Sequence, residues 1–148
     1  MPIFTKEEAQ TLLKKVLSYS KADECEIGLS GSEGGNIRYA LNAVSTAGDI
    51  SNITLSVSST FGKKTGTANI NEFDDASLEK VVRRSEELAQ LAPADPEHLP
   101  PSGPQTFKDA ATYNENTAAM TPESRAKLVG QSIEVAKAAN LNAAGFLE

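Results

Sequence analysis

The chain holds one cysteine, Cys25, and one histidine, His98, the two side chains best suited to nucleophilic or metal chemistry. A zinc site takes three or four Cys, His or carboxylate ligands, and two residues so far apart in sequence offer no ligand spacing. A Cys–His nucleophilic pair needs a histidine oriented by a third group, and no pattern around His98 supplies one. Cys25 alternates with Glu24 and Glu26, which sets it on the apolar side of a strand, where a free thiol packs as a small hydrophobe. His98 falls among prolines and reads as a solvated loop residue. No residue here is expected to be catalytic, and no metal or other cofactor is expected to bind this chain.

Phosphate chemistry fares no better. Gly28-Leu29-Ser30-Gly31-Ser32-Glu33-Gly34-Gly35 has glycines at the wrong intervals for a dinucleotide loop and leads into a strand. A pyrophosphate would need a helix N-terminus there, so the run is expected to be a flexible hairpin loop. Gly62-Lys63-Lys64-Thr65 looks like the end of a P-loop, but Val57 stands where the first glycine belongs. Glu72, Asp74 and Asp75 precede a helix, where capping and the helix dipole account for them.

A third set of residues is polar without being charged. Arg38, Asn42, Thr54, Ser56 and Thr67, with Ser58, Thr65 and Asn69, occupy or border the polar positions of strand-like segments. Small hydroxyl and amide groups fit two readings: a solvated face, or a surface that lies against another domain, a subunit or an extended peptide. Strand addition would bind peptide with little sequence preference, because main-chain hydrogen bonds supply the affinity. Arg38, Asn42, Thr54, Ser56 and Thr67 are the expected substrate or domain contacts.

The elements that position these residues follow from periodicity. Thr5 and Glu8 form a capping box before a helix over residues 6–20, with Ala9, Leu12, Leu13, Val16 and Leu17 on one stripe. Four alternating segments follow, around residues 25–29, 37–43, 53–57 and 63–70, separated by Gly31 to Gly35, Ala47-Gly48-Asp49 and Phe61-Gly62. Connections that short allow antiparallel strands only. A second helix starts at Asp74 or Asp75 and ends near Leu91, burying Leu78, Val81, Val82, Leu88 and Ala89. A third begins at Thr121 and Pro122 and carries Leu128, Val129, Ile133, Val135 and Ala136. The expected fold is α+β: an antiparallel sheet of about four strands with two helices packed on one face, plus a third helix after a long Pro-rich loop. Residues 1–92 form the α-β-β-β-β-α core, 93–120 a Pro-rich strap or linker, and 121–148 a helix that leads onward. The strap either lies over the domain or contacts a partner through Phe107 and Tyr113. Leu141 to Glu148 reads as a helix end followed by the first residues of a strand.

Composition excludes several partners. Lys and Arg number 14 against 20 Asp and Glu, for a net charge of −6. Nucleic-acid affinity rests on cations that neutralise the backbone, so no nucleic-acid partner is expected. No apolar run approaches the ~20 residues that span a bilayer, and no membrane partner is expected. A lone cysteine and the absence of a visible signal peptide fit a cytoplasmic protein.

In order and wording, NIRYALNAVSTAG, SNITLSVSST and KKTGTANI followed by DDASLEKVVRRSEELAQLAPADPE resemble the amino-terminal domain of the TldD/PmbA family of metallopeptidases, also called modulator of DNA gyrase proteins. The likeness runs from ADECEI at Ala22 to the final AAGFLE. Where family members often carry a polar or basic residue near position 41, this chain has Leu41. The resemblance implies a non-catalytic domain of a zinc-dependent peptidase acting on peptides or unfolded proteins, or of its metal-free partner subunit. The zinc helix, with its HExxxH pattern, would lie in a later domain absent here. Implied partners are that C-terminal domain, a family member in a homo- or heterodimer, and a peptide substrate. The competing class is a stand-alone interaction or peptide-binding module with no enzymatic activity.

Overall fold

The structure, a computed structural model, describes residues 4–108 and 110–148. Its elements run α1 (Lys6–Tyr19), β1 (Glu24–Ala40), β2 (Ala43–Phe61), β3 (Lys64–Ile70), α2 (Asp75–Leu91), α3 (Glu115–Ala118), α4 (Pro122–Ala138) and β4 (Gly145–Leu147). The strands form one four-stranded sheet in the order β3-β2-β1-β4. The fold is α+β with an antiparallel open sheet, and a further long helix follows the Pro-rich loop.

The strand count arises differently from the expectation. The segment around residues 25–29 and the 37–43 segment as far as Ala40 are one strand, β1, which continues through Gly31 to Gly35. None of those glycines has a positive φ; among the described glycines only Gly62 does. The hairpin loop expected there is extended backbone. Likewise Ala47-Gly48-Asp49, read as a turn, lies inside β2. The true turn is at Leu41 and Asn42, with φ of 51° and 61°. Two consecutive positive φ values belong to a tight two-residue hairpin. Leucine hides that signal because it rarely adopts this backbone. The fourth strand is β4, which pairs antiparallel with β1 through Ile37↔Leu147, Arg38↔Phe146 and Tyr39↔Gly145. The short helix α3, capped by Asn114, lies in the long loop and had no periodic signal.

Two compact units are formed. The first comprises residues up to Ser32 with Asn52–Thr106; the second comprises Glu33–Ser51 with Phe107–Glu148. In the first, Val16, Leu55, Val57, Leu78, Val81 and Val82 are fully or almost fully buried, flanked by Leu12, Leu13, Cys25, Ile27, Leu29 and Ile70. Leu12, Leu13 and Val16 of α1 and Leu78, Val81 and Val82 of α2 therefore pack in one cluster with the apolar side of the sheet, while Leu17, expected on the α1 stripe, is exposed. Gly66 has a steric reason to be in β3: a Cβ there would stand 2.1 Å from the Ala89 nitrogen and 2.5 Å from the Ser85 oxygen. Among the described residues the second unit buries Ile37, Val129 and Ile133 as its apolar centre. Each fully buried aliphatic side chain is worth about 1.5–3 kcal/mol, so three of them leave much for polar ties to do.

Arg125 and Asn42 provide such ties. Arg125 is buried in the second unit, with Nη2 donating to Asp49 Oδ1 at 2.8 Å and Nη1 to the Met120 carbonyl at 3.1 Å. Its guanidinium lies against Gly35, where any Cβ would come within 2.0 Å of it. Arg125 takes the buried stripe of α4 with Val129 and Ile133, while Leu128 and Val135, expected on that stripe, are exposed.

Candidate functional site

The polar face of the first unit is built by strand alternation. Leu55 and Val57 turn toward the helices, so Thr54, Ser56 and Ser58 turn away from them. Register places Ser56 opposite Asn69, Ser58 opposite Thr67 and Thr60 opposite Thr65. Ser58 Oγ and Thr67 Oγ1 are 3.0 Å apart, and Thr60 Oγ1 and Thr65 Oγ1 are 2.8 Å apart. Ser30 Oγ donates to the Thr54 carbonyl at 3.4 Å. Hydroxyls that bond one another across strands make a neutral surface with part of its hydrogen-bonding capacity already met. Such a surface costs less to cover than one of lone charges.

Thr54, Ser56 and Thr67 thus share one face of the first unit. Arg38 and Asn42 belong to the second unit and have local duties. The Arg38 guanidinium sits 5.3 Å from the centre of the Phe146 ring, its cross-strand neighbour. Asn42 works as a clamp: Nδ2 donates to the Leu141 carbonyl at 2.9 Å, and Oδ1 accepts from the Ala143 amide at 2.7 Å.

His98 differs from its expected place. It is not a solvated loop residue: Nε2 lies 3.1 Å from Glu24 Oε2, and its side chain is 18% exposed. Cys25 packs with the apolar cluster of the first unit. Adjacent strand residues face opposite ways, so His98, at Glu24, is on the other side of β1 from the thiol. Among the described residues no three or more His, Cys, Asp or Glu gather as metal ligands. Phe107 and Tyr113, the expected strap anchors, are exposed.

Glu86 has a role that no motif announces. It occupies the buried side of α2, accepts from the Lys21 amide at 2.6 Å and pairs with Arg83 Nη1 at 2.5 Å. Arg83 Nη2 in turn donates to the Tyr19 carbonyl at 2.6 Å, fastening the end of α1 to α2. A charged residue on an apolar stripe is the signal that would have revealed both Glu86 and Arg125. The capping carboxylates are ordinary by comparison. Asp74 is held below the usual carboxylate range by the Ser77 hydroxyl and amide, and Glu8 by the Thr5 amide and hydroxyl.

Residues 25–89, which span from β1 into α2, match the family model described as PmbA/TldA metallopeptidase domain 1. They are similar to the first domain of that family. Over most of the chain the fold recurs in solved structures. TldE from Thermococcus kodakarensis superposes with a TM-score of 0.77 over 93% of this chain at 17% identity. A protein from Thermotoga maritima that carries the name modulator of a DNA gyrase gives 0.67 over 86% at 15% identity. One from Bacteroides thetaiotaomicron with the same kind of name gives 0.64 over 90% at 18% identity. The chain spans 32%, 29% and 30% of those three proteins. No curated protein sequence matches it. No helix among the described residues is long and apolar enough to cross a membrane.

Proposed function

We propose that this chain is a non-catalytic amino-terminal domain of a zinc-dependent peptidase of the TldD/PmbA family. In this reading it contributes to assembly, to dimerisation with a family member, or to the access of peptide or unfolded-protein substrates, and it works in the cytoplasm. The observation that carries the reading is the match of residues 25–89 to a first metallopeptidase domain, within proteins about three times as long. Zinc and the residues that activate water on it would belong to the rest of the parent. In this chain Cys25 packs against the core, His98 pairs with Glu24, and Glu86 pairs with Arg83.

The hydroxyl face supports a contact role, because Thr54 and Ser56 are half-exposed and Thr67 is exposed on one side of the sheet. The gene provides the direct test. Codons after Glu148 are expected to encode an HExxxH helix for a catalytic parent, or a degenerate form for a metal-free subunit. A stop codon there would end the peptidase reading. The purified chain with zinc is expected to hydrolyse no peptide. Turnover abolished by changing one of its own side chains would also overturn the reading.

A second reading is a stand-alone interaction module. Its support is β3, a strand at the edge of the sheet with only β2 as neighbour. Such an edge can take an extended peptide as an added strand. The stop codon that sinks the first reading would favour this one.

A further inference from the structure

The Pro-rich segment after α2 is seated on the first unit at three points. The Asp95 amide donates to the Lys63 carbonyl at 2.8 Å, and Lys63 Nζ donates to the Pro96 carbonyl at 3.4 Å. His98 Nε2 then meets Glu24 Oε2 at 3.1 Å, with both side chains partly buried. From Leu99 to Thr106 every residue is exposed. The His98–Glu24 contact is thus the last hold before the strap leaves the surface.

The three holds differ in chemistry. Two use main-chain carbonyls, whose bonding is indifferent to pH near neutrality. The third joins a carboxylate to an imidazole, the side chain whose charge ordinarily changes between about pH 5 and 8. An imidazolium donates a charge-assisted bond to a carboxylate, roughly twice as strong as a neutral one. Neutral imidazole keeps only the tautomer-dependent bond. The charged groups on neighbouring elements are Asp23, Glu24 and Glu26 at the start of β1, Lys63 and Lys64 at the β2–β3 turn, and Asp95 and Glu97 on the strap. Asp23 is itself engaged with the Gly62 amide at 2.8 Å.

We propose that His98 and Glu24 form a pH-sensitive latch that fastens the strap to the start of β1. The latch is tight when the imidazole is charged and loose when it is neutral. Glu24 stands on the hydroxyl-face side of β1, opposite Cys25, so the latch holds His98 at that margin. Pro93 and Pro96 stiffen the seat, and Asp95 Oδ1 braces it by accepting from the Glu97 amide at 2.9 Å. This inference rests on the geometry of the first unit and not on the peptidase reading.

Amide hydrogen exchange on the full chain tests it, read as protection factors so that the intrinsic pH dependence cancels. The Asp95 and His98 amides, the latter bonded to the Asp95 carbonyl at 3.3 Å, report the seat directly. Their protection is expected to fall about two- to fivefold from mildly acidic to mildly basic solution, the range of a partly exposed ion pair. His98→Gln and Glu24→Gln should each abolish that dependence, with Val82 in α2 unaffected. Protection that ignores pH in the wild type, or the same fall in both variants, would overturn the proposal. So would a matching fall at Val82, which would mean that the whole unit loosens.

Discussion

Gly66 of β3 lies against the Ala89 amide of α2, so close that a Cβ at position 66 would stand 2.1 Å from that nitrogen. The helix rests on bare backbone at this point, and the obstacle to any side chain is main chain, which cannot rotate aside.

Gly66→Ala is therefore expected to destabilise the protein by about 1–3 kcal/mol or more, as overpacking does. Gly28→Ala is the control, since a Cβ there meets nothing within 4 Å. Urea unfolding followed by circular dichroism should separate the two; equal midpoints would mean that α2 is free to ride outward.

Ser59 and Ser85 share a fully buried hydrogen bond of 2.7 Å, and Ser85 Oγ also donates to the Val82 carbonyl at 2.8 Å. The two alanine variants should therefore differ. Ser85→Ala strands the Ser59 hydroxyl and is expected to cost about 1–3 kcal/mol. Ser59→Ala leaves Ser85 its carbonyl and should cost less. The double variant should cost less than the sum, which a double-mutant cycle measures.

Asn42 combines a φ of 61° with bonds to Leu141 and Ala143. Asn42→Gly keeps the backbone and loses the clamp, whereas Asn42→Ala loses both. Gly is expected to cost about 1 kcal/mol for the lost bonds and Ala about 1–2 kcal/mol more for the left-handed backbone. Exchange of the Ala143 amide, freed in both variants, should rise well above that of Val82.

Acid sensitivity should come in part from the helix caps. Asp74 and Glu8 are held below their ordinary values when folded, so the unfolded chain binds protons first. Their contribution is complete above the ordinary carboxylate range and lost as pH falls through the depressed folded values. Thermal midpoints of Asp74→Asn should therefore fall less steeply with acid than those of the wild type. Parallel curves would show that the cap does not couple to stability.

Helices were legible because their signals are local: Thr5 with Glu8, Asp74 before α2, and Thr121 with Pro122 all cap where their residue types require. Strand ends were not, because the tight turn fell on Leu41 while the glycine-rich stretch stayed extended. Gly35 is needed for what lies beside it, the Arg125 guanidinium, and no local rule could anticipate a contact from so far along the chain. The hydroxyl face was readable from alternation, which gave Thr54, Ser56 and Thr67 as neighbours. Arg38 and Asn42 were grouped with them by the same alternation, though long-range pairing gives each its own partner in the second unit. The Glu24–His98 contact was invisible for the same reason.

Both long strands contribute residues to both units, so the second unit's strands are nested in sequence inside the first. No single scissor cut frees one from the other. A version ending after α2 would keep Ile37 and Tyr39 but discard Val129, Ile133 and Leu147, which shelter them. Ablating the tail would leave a sticky hairpin bare to water and prone to self-association.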